Sequence, residues 1–343
     1  MVRRGFLLVN LGTPDAPSAS AVRRYLKEFL SDPRVIDINP FIRGALLYGV
    51  ILPFRPRRSA HAYRKVWTER GSPLLFHGQD LVKKLAADLG DSWRVALAMR
   101  YQNPPITTAL DRFRNEGIDE IVVFPLFPHY SSAAWGSAME KLTLEASLRW
   151  NVPVLKIVRP YYDHPAFIDA FAEVARPVLD AFRANKIILS YHGLPERQII
   201  KGDDSGARHC LRNDTCCETV ATVNRNCYRA QCFATSRALA QGLDLSPDTY
   251  ETAFQSRLGR IPWIRPYTDE RVRALATNGV RRLAVLCPAF TADCLETLEE
   301  IGIRAREDFL AHGGEEFRLI PSLNSHDVWA RAVVRIARDS VAF

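Results

Sequence analysis

Three groups of side chains in this 343-residue sequence have types and spacings that could do chemistry. The first is His192, which follows the run Ile187-Ile188-Leu189-Ser190-Tyr191 and should emerge at the crest of a sheet. An imidazole titrates near neutrality and can accept a proton or ligate a metal. Gly193 beside it would let backbone approach a ligand closely. The plainer reading is a histidine hydrogen-bonded in a turn. The second group is Asp293, Glu296 and Glu300, at i, i+3 and i+7 of a segment with helical character. That spacing lays three carboxylates along one helix face, where they could drain protons or pass a divalent cation on hard oxygen ligands. Asp293 and Glu296 also read as a D-x-x-E capping box. The third group is Cys210, Cys216, Cys217, Cys227 and Cys232, spaced C-x5-C-C-x9-C-x4-C. This is neither ferredoxin spacing nor the paired C-x2-C of a zinc ribbon. Four of the five would suffice for a [2Fe–2S] cluster, with structural zinc as rival and separate buried thiols third. Arg208, Arg212, Arg225 and Arg229 stand nearby to offset thiolate charge. Cys287 reads as core, and Cys294 follows Asp293 directly.

These groups need elements to position them. Strands are expected over 6–10, 94–99, 121–125, 154–158, 186–190, 249–254, 283–287 and 317–320. Amphipathic helical patterns lie between, at 19–30, 79–89, 106–116, 134–148, 165–184, 232–241, 269–278 and 294–301. Such alternation argues for parallel sheets flanked by helices, in two similar α/β lobes joined near Arg159–Pro165. In open α/β sheets ligands bind beyond the carboxyl ends of the strands. The informative segments are therefore Asn10-Leu11-Gly12-Thr13-Pro14, Arg100-Tyr101-Gln102-Asn103-Pro104, Tyr191-His192-Gly193-Leu194-Pro195 and Gln255-Ser256-Arg257. Polar and aromatic groups gather at these exits, as a cleft for a large flat apolar ligand would require.

Composition sets the outer limits. The chain is 47% hydrophobic and 24% charged, which excludes a mainly disordered, collagen-like or multi-span membrane protein. A net charge of +8 suits an acidic small molecule or an anionic membrane surface; with no nucleic-acid motif, nucleic acid is the least favoured partner. The apolar run after Met1-Val2-Arg3-Arg4 stops at Asn10, too short for a signal peptide. Seven cysteines without an export signal disfavour disulfides. The most lipid-like piece runs from Gly44 to Phe54, with Arg43 before it and Arg55, Arg57 and Arg58 after. It is either a core helix or an exposed lip that dips into a membrane.

Several stretches taken in order resemble ferrochelatase, the enzyme family that inserts ferrous iron into a porphyrin. They are Leu8-Val9-Asn10-Leu11-Gly12-Thr13-Pro14, Tyr191-His192-Gly193-Leu194-Pro195, Gln255-Ser256-Arg257-Leu258-Gly259, Pro262-Trp263 and Ala289-Phe290-Thr291-Ala292-Asp293-Cys294-Leu295-Glu296-Thr297-Leu298. The resemblance implies two Rossmann-like lobes with a porphyrin cleft between them: residues 1–160 with the lip, 161–325 with a cysteine-rich insertion at 202–232, and a C-terminal helix in 326–343. It implies a lyase-class chelatase that makes protohaem from protoporphyrin IX and Fe²⁺, the last step of haem synthesis. His192 takes the role of catalytic histidine and iron ligand, Glu296 and Glu300 the acidic path with Asp293 beside them, and Glu296 an iron contact. Asn10, Tyr63, Ser72, Arg100, Tyr101, Trp263 and Phe290 match porphyrin-binding positions, Arg100 and Tyr101 on the iron-access side. Arg57 and Arg58 are candidates for the propionates.

The stretch from Leu46 to Phe54 matches the family's membrane-facing lip, which implies a cytoplasmic protein or one peripheral on the inner membrane face. Two departures stand out. Cys294 replaces a histidine common in the family, and the segment from Gly202 to Cys232 is longer and richer in cysteine than the usual form. Some microbial members carry a [2Fe–2S] cluster on such an internal segment. The rival readings are a coproporphyrin or cobalt chelatase, and a non-catalytic iron–sulfur or haem sensor on the same fold.

Overall fold

The computed structural model describes residues 4–259 and 261–343. The chain divides into two compact units, one of Met1–Phe127, Ser132–Arg159 and Asn324–Phe343, the other of Pro128–Ser131 and Pro160–Leu323.

In the first unit, β1 (Arg4–Asn10), β2 (Trp93–Met99), β3 (Glu120–Pro125) and β4 (Val154–Ile157) form an all-parallel sheet in the order β2-β1-β3-β4. β1 is buried along nearly its whole length, as a central strand covered on both faces must be. Its helices are α1 (Ala19–Ser31), α2 (Pro40–Leu46), α3 (Leu52–Val66), α4 (Pro73–Leu89), α5 (Ile106–Asn115) and α6 (Ser137–Ser147), with a last helix at Asp327–Ser340. In α5, Ile106, Ala109, Leu110 and Phe113 repeat at helical spacing and bury against Leu7 and Val123.

The stretch from Gly44 to Phe54 is the exposed lip of the two alternatives. A π-helical turn, Leu47–Ile51, joins α2 to α3. Only Leu47 and Leu52 turn inward, while Phe41 is 88% and Phe54 74% exposed, with Ile42, Tyr48 and Val50 also outside.

The second unit repeats the topology. β5 (Lys186–His192), β6 (Tyr250–Gln255), β7 (Arg282–Leu286) and β8 (Glu316–Leu319) are parallel in the order β6-β5-β7-β8. Around them lie α7 (Pro165–Phe182), α8 (Glu196–Lys201), α9 (Tyr228–Gly242), α10 (Thr268–Thr277) and α11 (Arg306–Ala311). In each unit the earliest strand lies between the next two, so the strand order reverses beside it, and the crevice beyond its carboxyl end is where such sheets bind ligands. Asn10 ends β1 opposite Met99, and His192 ends β5 opposite Gln255, the same register in both units. His192 is thus the final residue of its strand rather than one beyond it.

Two expected helices differ, and the one over 134–148 begins as a π-helix, Ser132–Gly136, before α6. The segment expected as an α-helix over 294–301 is a π-helix, Glu296–Ala305. The Glu296 carbonyl accepts a hydrogen bond from Gln255 Nε2 at 2.9 Å. An external donor there competes with the helix's own amides, one of the ways a helical ladder is displaced. The D-x-x-E capping box does not form either: Asp293 Oδ1 accepts from the Thr297 hydroxyl at 3.0 Å and lies before the helix.

Candidate active site

The second unit collects His192, Asp293, Glu296 and Glu300 around the carboxyl ends of β5 and β6. His192 is half-buried, and its Nδ1 lies 2.7 Å from the Gly193 carbonyl. A carbonyl can only accept, so Nδ1 carries a proton, and in the neutral ring the lone pair is on Nε2. Gly193 also has a task within the fold. A Cβ there would stand 2.9 Å from the Gln255 carbonyl, to which the Gly193 amide donates at 2.8 Å, so the missing side chain serves the approach of β5's exit to β6. The Phe290 ring lies 6.4 Å from that of His192. Trp263 is buried, donates Nε1–H to the Leu258 carbonyl and bridges Pro195.

Glu300 is held from two directions. Its Oε1 accepts from the Ser256 amide at 2.8 Å and its Oε2 from the Ser256 hydroxyl at 2.6 Å. Burial pushes its carboxyl up; the Ser256 hydrogen bond and the His192 and Arg304 charges oppose this, Glu296 adds to it, and the net direction is upward. Glu299, three residues after Glu296, is itself buried and pairs at 2.8 Å with Arg304, whose side chain is exposed. The Cys294 thiol is also buried and is pushed up first by that burial and then by the Glu296 carboxylate.

In the first unit two of the predicted binding residues, Arg100 and Tyr101, sit in a closed polar network around Asp32. Asp32 is buried and accepts from Arg100 Nη2 at 2.7 Å, the Tyr101 hydroxyl at 2.8 Å and the Ser137 hydroxyl at 2.5 Å. Burial works to raise its carboxyl, but the Ser137, Arg34 amide and Tyr101 hydrogen bonds and the Arg100 charge prevail and hold it below the usual range. Tyr101 is wholly buried, its hydroxyl engaged and pushed up by that burial. The Asn10 side chain accepts from the Leu11 amide, and the Ser72 hydroxyl meets that of Thr13 at 2.8 Å. Gly12, at φ +120°, leaves room that a Cβ would take within 2.0 Å of the Tyr101 carbonyl. Tyr63 is buried against Trp67, while Arg57 and Arg58 are exposed.

All five cysteines of the 210–232 segment are buried. Asp203 shapes the loop that carries the first of them: its carboxylate accepts from the Ser205 amide and hydroxyl and from the His209 and Cys210 amides, all at 2.6–2.9 Å. The Cys216 and Cys217 sulfurs stand 3.7 Å apart. Cys217 shares a hydrogen bond with Cys227 and Cys227 with Cys210; the Cys210 contact is the chief cause that pushes Cys227 up, to about 11. Arg229 Nη1 lies 3.1 Å from Cys217 Sγ. Burial likewise pushes up Cys232, whose thiol bonds to Tyr228. Among the described residues, no group of three or more His, Cys, Asp or Glu side chains converges as a site for a metal ion.

Two residues placed at the site were given no role by the sequence reading. Asp32 lies 68 positions before Arg100, and nothing in its neighbours marks it. Ser256 stood at a strand exit without an assignment; its signal is positional, since it follows β6 as Arg100 follows β2.

The ferrochelatase family model matches residues 3–341. A ferrochelatase of Legionella pneumophila (strain Paris) is 48% identical over 345 residues, covering 99% of this chain and 100% of the relative. One of Coxiella burnetii (strain CbuK_Q154) is 45% identical over 338 residues, covering 98% and 94%. Among solved structures, the chelatase SirB of Bacillus subtilis with Fe³⁺ aligns over 99% of this chain and 96% of its own at a TM-score of 0.56 with 12% identity, a likeness of fold.

Proposed function

The chain belongs to the ferrochelatase family, and from that premise we propose how its own residues insert ferrous iron into a porphyrin to form protohaem. The reaction exchanges two pyrrole N–H protons for one Fe²⁺, so the protein must take protons from the macrocycle centre while the iron sheds its water. His192 is the base. The observation that carries this is the Nδ1–H bond to the Gly193 carbonyl, which leaves Nε2 as the free acceptor. Glu300, near enough for the imidazole to act on its charge, and Glu296 receive the protons and pass them outward, with Asp293 at the head of the row. A carboxyl shifted upward by burial is the better proton acceptor for that task. Trp263 and Phe290 offer apolar faces to the macrocycle, and Tyr63, Ser72 and Asn10 belong to its surroundings. Arg100 and Tyr101 act through the Asp32 network, which holds a cation and a hydroxyl in fixed orientation.

We assign protoporphyrin IX as the porphyrin, a lyase-class reaction. With two carboxylates rather than four, it is more lipid-soluble than coproporphyrin. The exposed Phe41, Ile42, Tyr48, Val50 and Phe54 beside Arg57 and Arg58 suit its collection at an anionic lipid surface. No helix is long and apolar enough to cross a membrane among the described residues, so contact through this lip would be peripheral. Seven free thiols support a reducing, cytoplasmic setting.

For the 210–232 segment we propose a [2Fe–2S] cluster on four of its five cysteines, although no three of these side chains converge as a metal site among the described residues. Such a cluster takes two thiolates on each of two irons, whereas zinc needs four ligands around one point. The thiols meet in a chain, Cys216 with Cys217, Cys217 with Cys227 and Cys227 with Cys210, and Arg229 beside Cys217 would offset thiolate charge. Cys232 is the fifth thiol, engaged with Tyr228. When bound, the cluster would supply one-electron redox chemistry; iron insertion itself transfers no electron.

His192→Ala tests the catalytic assignment. The variant should still bind protoporphyrin, followed by fluorescence, but produce no haem. Near-normal turnover would remove His192 from the mechanism.

A further inference from the structure

We propose that Ser256 is a positioning residue for iron insertion, clamping the Glu300 carboxylate beside His192 with its hydroxyl and its backbone amide at once. The inference rests on the chelatase reading above and deepens it.

The geometry of the clamp is unusual for a serine. Ser256 follows β6 directly and has φ +67°, the left-handed region that L side chains avoid. The cost of such a backbone is about 1–2 kcal/mol, and glycine or asparagine would bear it more easily. Neither would present a hydroxyl at the same point. In this conformation the amide and Oγ address one carboxylate, the amide on Oε1 and the hydroxyl on Oε2. Strain kept at a strand exit and spent on aiming two donors is a mark of a functional position.

The residue before it completes the device. Gln255 is buried; its Nε2 donates to the Glu296 carbonyl at 2.9 Å and its Oε1 accepts from the Ser190 hydroxyl at 2.8 Å. Ser190 in turn meets the Thr268 hydroxyl at 2.8 Å. Gln255 is also the register partner of His192, and its own carbonyl accepts from the Gly193 amide. Two consecutive residues therefore tie the start of the π-helix to the strand that ends in His192. Gln255 fixes the backbone at Glu296, and Ser256 fixes the carboxylate one turn further. Arg304 is no substitute for Ser256, since it bonds Glu299 at 2.8 Å and stands 3.9 Å from Glu300.

Ser256 touches no reacting atom, so its loss should appear in turnover rather than in porphyrin affinity. Ser256→Gly keeps the amide and relaxes the backbone while deleting the hydroxyl. With wild-type enzyme, Fe²⁺ and protoporphyrin, loss of one charge-assisted hydrogen bond should lower kcat by roughly ten- to a hundredfold. The KM for porphyrin should stay within about twofold, and the melting temperature should not fall. Ser256→Ala also deletes the hydroxyl but keeps a Cβ on the same backbone, so it should lose kcat to within about threefold of Ser256→Gly, which separates the missing bond from glycine's added freedom. Wild-type kcat in Ser256→Gly overturns the proposal. So does a loss confined to KM, or wild-type kcat in Ser256→Ala. Failure of the wild-type chain to metallate porphyrin would instead overturn the chelatase reading itself.

Discussion

At His192 a single hydrogen bond selects which nitrogen can work. Nδ1–H is committed to the Gly193 carbonyl, so any proton taken from a substrate goes to Nε2. The opposite economy governs Asp32, where four donors meet one carboxylate and leave it ionised inside the first unit. Its depressed titration makes it a stability element with a defined sign. The contribution is fully present above pH 3.8, its unfolded value, and is lost as pH falls through the lower folded value. Asp32→Asn leaves Arg100 short of its counter-charge, and Arg100 is only partly solvated, at 14% exposure. We expect the substitution to cost about 2–3 kcal/mol at pH 7 in denaturant titrations. The gap should close as pH drops below 3.8; a constant gap down to pH 2 would refute the charge as its cause. His192 was legible because an apolar run points to it. Asp32 was not, because its partner Arg100 lies 68 positions away; Ser256 stood out as a strand-exit residue, but its hold on Glu300, 44 positions on, did not.

At the scale of elements, apolar runs located all eight strands to within two residues, since buried parallel strands read as continuous hydrophobic stretches. The π-helix at Glu296–Ala305 was beyond that reading. Its sequence has ordinary helical periodicity, and the competing donor, Gln255, comes from another strand. The cysteine segment was legible by spacing, whereas the Asp203 carboxylate that shapes the Cys210 loop was not. The lip carries its own prediction. Phe41 and Phe54 present apolar area to solvent beside α3's exposed arginines, as an interfacial anchor does. Replacing both with Asp should lower cosedimentation with anionic vesicles by about tenfold or more, through lost apolar burial and added repulsion. Unchanged cosedimentation would remove the lip from membrane contact.

At the scale of the whole chain, one topology occurs twice, with its earliest strand ending in Asn10 in the first unit and His192 in the second. The residues one position past the neighbouring strand have diverged: Arg100 joins a closed polar network, and Ser256 holds an acidic residue. Parallel strands with helices between them made the fold class legible, but the sequence carries no short-period repeat from which that matching register could be read. Family membership supplies the reaction, and the residues above supply a means of carrying it out. The most direct test uses the anaerobically purified chain in one cuvette. Its visible spectrum is recorded first, and Fe²⁺ and protoporphyrin IX are then added. We expect a red-brown chromophore from the cysteine segment, followed by growth of haem bands. Haem bands without the chromophore would retain the enzyme and return the five thiols to zinc or plain burial. Porphyrin that stays metal-free with Fe²⁺ present would contradict the central claim.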